Sequence, residues 1–175
     1  MSHEDYELDL IDLNQVNYFI YYYRCLSKVP LYFVKNHRLN VLKMVETLQE
    51  EKNKNRKRWQ DNISFLHSEF NKPYHNRYWK EDEERQKIND QETQLIESED
   101  NFEKMIVYFI ELTDILDKII DGDKSDFTEE YDHIFKCILT LSNKARSLLS
   151  QTYRSGYGKR MFCINEFIDI SEIVE

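Results

Sequence analysis

Two long stretches of this chain repeat apolar residues in steps of three and four, with a proline turn between them. The first seam reads Leu31, Val34, Arg38, Val41, Val45, Leu48, Lys52, Asn55, Trp59, Ile63, Leu66 and Phe70, and is broken by Pro73. The second starts near Trp79 and ends at Gly122; its more regular half reads Leu95, Glu99, Phe102, Ile106, Phe109, Thr113, Leu116 and Ile120. Such spacing predicts two long helices with heptad seams, each roughly 60 Å long at 1.5 Å per residue. Folding the chain back at 71–78 sets Leu48 against Phe102, Val41 against Phe109 and Val34 against Leu116. The same register sets the basic run 52–58 against Glu92, Glu97, Glu99 and Asp100, so the apolar and the charged patterns both predict an antiparallel hairpin. Lys52 and Asn55 fall on the seam itself, where polar residues lower stability and fix register.

Two shorter helices complete an all-α reading. One runs from about Asn14 to Lys28, stops before Pro30, and is expected to cover the base of the first long helix. The other follows Gly122, a helix stop, and a capping pair, Asp126 with Glu129. Its seam of Phe127, Tyr131, Ile134, Ile138, Leu141, Ala145 and Leu148 should lie on the second long helix. The expectation is a single helical domain over 1–175, an antiparallel bundle of about four helices. Its base spans about 14–48 and 102–153, and a projecting coiled-coil arm spans about 49–101. With only three Gly and two Pro, the chain lacks the turn residues of a sandwich or barrel. The ends are ambiguous: Leu8–Leu10, Met161–Ile164 and Ile168–Ile170 read as short strands or as a short terminal helix.

A net charge of −9 argues against attraction of the whole molecule to nucleic acid or to anionic membrane. The cysteines Cys25, Cys137 and Cys163 are odd in number and widely spaced, which fits a reducing compartment better than a disulfide framework. The acidic start, Met1–Glu7, does not resemble a secretion signal, and no stretch reaches the roughly 20 apolar residues of a membrane span. A cytoplasmic location is the expectation.

Catalytic signatures are missing: the chain has no phosphate-binding glycine loop, no nucleophile elbow and no His-Glu-x-x-His. Asp126, Glu130, His133 and Cys137 share a helix face, and Glu130 with His133 has the Glu-x-x-His spacing of carboxylate-bridged metal bundles. That motif has no second copy, so a metal-dependent enzyme is the third-ranked reading, and no catalytic residue, metal or cofactor is assigned. Lys52, Lys54, Arg56, Lys57 and Arg58, followed by Trp59, could follow a phosphate backbone with a ring to stack, and a nucleic-acid-binding regulator is the second reading. The acids expected opposite this run weaken it. The leading reading is a non-enzymatic protein–protein interaction module: an adaptor, an inhibitor or immunity factor, or a subunit of a complex. Its contact residues are expected at the hairpin tip, Tyr74, His75, Arg77, Tyr78 and Trp79, because a turn needs no such density of hot-spot residue types. The tyrosines of the first helix, Tyr18, Tyr21, Tyr22 and Tyr23, and the coiled coil are two candidate surfaces for pairing with a second copy.

Overall fold

A computed structural model of the chain describes residues 11–25, 29–70, 81–152, 164–165 and 167. Among them are four helices: α1 (Leu13–Cys25), α2 (Leu31–Phe70), α3 (Glu81–Ile120) and α4 (Thr128–Thr152). The all-α bundle expected from the periodicity is what forms.

Local chemistry sets the helix ends. Asp12 caps α1, its Oδ1 accepting the amides of Asn14 at 3.0 Å and Gln15 at 3.2 Å. The Pro30 carbonyl accepts the amides of Phe33 and Val34 and so opens α2. At the end of α3 the Asp123 amide donates to the Lys118 carbonyl and the Gly122 amide to that of Ile119. This paired closure needs a left-handed residue, and Gly122 has φ of 91°. Asp126 then accepts the Thr128 amide at 3.0 Å, and this hydrogen bond holds its carboxyl below the usual carboxylate range.

The α2–α3 hairpin has a register three residues away from the one matched across the turn. Asn55 donates from Nδ2 to Ser98 Oγ at 2.7 Å, and Asn62 from Nδ2 to Gln91 Oε1 at 2.6 Å. Carried toward the base in heptad steps, this ladder sets Leu48 against Met105, Val41 against Leu112 and Val34 against Ile119; all but Ile119 belong to the buried core cluster, and Ile119 packs against it. The expected partners were Phe102, Phe109 and Leu116. Every side chain on a helix leans toward its own N-terminus by about one residue, so in an antiparallel pair the meeting tips lie about two residues beyond the facing backbone positions. A step of three also moves from one seam position to the next, so the apolar pattern alone does not detect it.

Among the described residues the buried apolar core reaches Leu48 on α2, Phe102 on α3 and Ala145 on α4. Beyond it α2 and α3 bury Trp59, Ile88, Asn55 and Ser98. The Trp59 indole N–H donates to Asn55 Oδ1 at 3.2 Å. An indole nitrogen can only donate, which leaves the Asn55 amide nitrogen for Ser98 and satisfies both ends of this buried amide. Glu51 and Arg58, one heptad apart on α2, form an inward ion pair at 2.9 Å, with side chains 8% and 17% exposed.

α4 lies on α3, as expected. α1 packs mainly against α4 and meets α2 through rings, Phe19 lying 5.7 Å from Phe33 and 4.4 Å from His37. The expected contact with the base of α2 is present, and Tyr131, which the sequence pattern did not assign to it, draws α1 onto α4 as well. At the ends, Ile11 and Ile164 form a single parallel bridge, Arg146 donates to the Ile164 carbonyl, and Phe167 packs on Phe135. The expected elements at 8–10, 161–163 and 168–170 lie outside the described residues.

Removing Asn55 strips partners from Ser98 and from a fully buried indole. Asn55→Ala is expected to cost about 2 kcal/mol in urea unfolding, at the upper part of the range for an orphaned buried polar pair. A cost within a few tenths of zero would show that the amide does not hold the hairpin.

Candidate interaction face

One face of the hairpin is left uncovered by α1 and α4. On α3, heptad steps join Ile96, Asp100, Glu103, Val107, Ile110, Asp114 and Asp117 into a second stripe beside the buried seam. Its apolar members are open to solvent, Ile96 at 70%, Val107 at 54% and Ile110 at 44%. On α2 the same steps join Lys35, Arg38, Leu42, Val45, Gln49, Lys52 and Arg56.

Two ion pairs bind these stripes side by side. Arg38 Nε donates to Asp117 Oδ1 at 2.5 Å and Lys52 Nζ to Glu103 Oε1 at 2.8 Å. The rung midway between them holds Ile110, open to solvent, level with Val45, which is 8% exposed and belongs to the core beneath the face. The face therefore has an apolar centre and an ionic boundary at each end, with Leu39 exposed at its margin. Isolated exposed apolar residues need no explanation, but a banded group rimmed by charge has the anatomy of a contact surface.

The stripe is legible in the sequence once α3 is read for a second heptad series. Its residue types are ordinary, so no chemistry-bearing motif marks it. The expected tip residues Tyr74, His75, Arg77, Tyr78 and Trp79 lie outside the described residues.

The basic run is arranged differently from a phosphate-contacting strip. Lys52 is paired with Glu103, Arg58 with Glu51, and Arg56 with Glu99 through Nε at 2.6 Å and Nη2 at 3.2 Å. Glu99 raises the Arg56 guanidinium above its ordinary value through hydrogen bonding and charge. Trp59 is fully buried, so its ring is withdrawn from stacking on a base, a correction to the role expected for it. Lys54 and Lys57 are the exposed members without an ion-pair partner among the described residues.

The Asp126–Cys137 stripe is dispersed as well. Asp126 serves as the α4 cap, Glu130 and His133 are exposed, and Cys137 Sγ lies 3.8 Å from His133 Nε2. Among the described residues no group of three or more His, Cys, Asp or Glu could hold a metal ion. An open groove of about 610 Å³ lies between Tyr23, Arg24, Ile119, Lys124 and Thr128. Its one carboxylate, Asp126, is already committed to the cap. The tyrosine run divides: Tyr18 and Tyr22 stack at 5.3 Å and are 41% exposed, while Tyr23 packs on the core.

His37 escaped the sequence reading, since a lone histidine within a long helix carries no motif. It is 4% exposed, stacked on Phe19, with Nε2 2.8 Å from the Tyr131 hydroxyl. That hydroxyl donates at 2.8 Å to the Val16 carbonyl, an acceptor only. Both contacts are hydrogen bonds when His37 donates from Nε2, so the imidazole is the Nε2–H tautomer. Burial lowers its pKa from 6.5 to about 4 and raises that of Tyr131. The node joins α1, α2 and α4 and has no exposed surface on which to act.

No family model, curated protein or solved structure matches this chain. Among the described residues no helix is long and apolar enough to cross a membrane.

Because the folded-state value for His37 lies below that of an exposed imidazole, the unfolded chain takes up the proton first. The stability it confers is complete above about pH 6.5 and is lost as pH falls toward 4. Unfolding free energy should drop by about 2 kcal/mol between about pH 7 and pH 5 from this residue. His37→Gln, which keeps a donor for Tyr131, should flatten the slope. An unchanged slope in the variant assigns the titration elsewhere.

Proposed function

We propose that the protein is a non-enzymatic protein–protein interaction module that offers the open face of its α2–α3 hairpin to a protein partner. One observation carries this reading: Ile96, Val107 and Ile110 stand exposed along a single heptad stripe. Side chains placed like this on a rigid helical pair can dock against a helical surface, since they lose little freedom on binding while shedding water from apolar area. The ion pairs beside them supply orientation more than affinity. Tyr74, His75, Arg77, Tyr78 and Trp79, between α2 and α3 in sequence, extend the proposed contact to the hairpin tip. Pairing of Lys52, Arg56 and Arg58 with carboxylates, together with burial of Trp59, disfavours the nucleic-acid reading.

Val107→Glu with Ile110→Glu places two carboxylates in the centre of the face without touching the core. A protein that co-purifies with the wild-type chain after nuclease treatment should be lost from this variant while helicity by circular dichroism is unchanged. Partner retention by the double variant, with loss on Tyr78→Ala and Trp79→Ala, would overturn the assignment of the face and move the contact to the tip.

A further inference from the structure

We propose that the partner of this face is a second copy of the chain, an inference that rests on the interaction reading above. The argument is charge complementarity. The α2 stripe carries four cations, Lys35, Arg38, Lys52 and Arg56, and no acid. The α3 stripe carries four acids, Asp100, Glu103, Asp114 and Asp117, and no cation. The face is thus neutral as a whole, although the chain carries −9. The chain's net negative charge therefore lies outside these two stripes, and two copies can meet through them without net like charge at the contact.

Segregation of charge by helix also selects the symmetry. A two-fold axis parallel to the helices and between the copies lays α2 of one chain over α3 of the other and preserves each level of the face. Cationic stripe then meets acidic stripe at both edges, twice over by symmetry, as an isologous contact requires. The apolar level of Ile110 meets its own copy, with Val107 beside it. The Arg38–Asp117 and Lys52–Glu103 pairs become four-charge clusters at the two ends. An axis running across the helices would instead set α2 on α2, cation against cation, and acid against acid on the other side. The arrangement with the parallel axis is antiparallel in each crossed helix pair, and it leaves α1 and α4 free.

The test is sedimentation velocity of the purified full-length chain from about 1 to about 100 μM, a range that brackets a micromolar dissociation constant. The expected result is a concentration-dependent species of twice the 21.4 kDa monomer mass. Its dissociation constant should rise with salt, because the edges of the contact are ionic. Val107→Glu with Ile110→Glu should leave only monomer. Asp114→Arg, at an exposed position with no ion-pair partner among the described residues, should weaken pairing about tenfold without changing helicity. A single 21.4 kDa species at the highest concentration overturns the proposal, as does a dimer indifferent to salt and to both variants. A monomer that still loses a different protein partner through Val107→Glu and Ile110→Glu would overturn self-pairing and leave the interaction reading standing.

Discussion

The hairpin depends on a buried amide. Heptad seams let two antiparallel helices slide by three or four residues and still bury apolar against apolar, so the apolar pattern holds the helices together without choosing how they align. Asn55 chooses. Its oxygen takes the Trp59 indole N–H and its nitrogen meets Ser98, so any other register strands a donor inside a dry contact. Asn62 with Gln91 repeats the constraint one heptad toward the tip. Carried to the base in heptad steps, this alignment sets Leu48, Val41 and Val34 level with Met105, Leu112 and Ile119.

What could be read from the sequence is what depends on periodicity and local chain chemistry. Both long helices, the Gly122 stop and the Asp126 cap follow from spacing and residue type, and so does the polar role of Asn55 on the seam. The three-residue offset depends on the lean of side chains in three dimensions, which a match of backbone positions across a turn ignores. The docking of α1 on α4 hinges on one hydroxyl, Tyr131, reaching a carbonyl 115 residues away, and no local pattern announces such a contact. The open stripe from Ile96 to Asp117 is different. It was present as a second heptad series, hidden because the buried series beside it accounts for the helix by itself.

The two polar nodes divide the structure. His37, Tyr131 and Val16 join three helices at the base, and a neutral imidazole is required there because an imidazolium would sit among Phe19 and the core without water. Asn55, Ser98 and Trp59 join two helices beyond the core, and none of them titrates in the physiological range. Mild acid therefore acts on the bundle base and leaves the hairpin register alone. A surface built on α2 and α3 is correspondingly insulated from the contact that holds α1.

Segregated charge on the open face is a consequence of how the hairpin recognises itself. Placing cations on α2 and acids on α3 favours the observed pairing of Arg38 with Asp117, Lys52 with Glu103 and Arg56 with Glu99. Each such pair is partly exposed and contributes little alone, about 1 kcal/mol at most, yet together they penalise a slipped register that sets unlike spacings side by side. The same segregation makes the face its own complement under a two-fold axis parallel to the helices. A hairpin of mixed charge on both helices would have no such property, and one with uniform charge would repel its copy. A device that aligns two helices within a chain thus carries the specificity needed to align two chains, with Val107 and Ile110 supplying the apolar area that the ion pairs cannot.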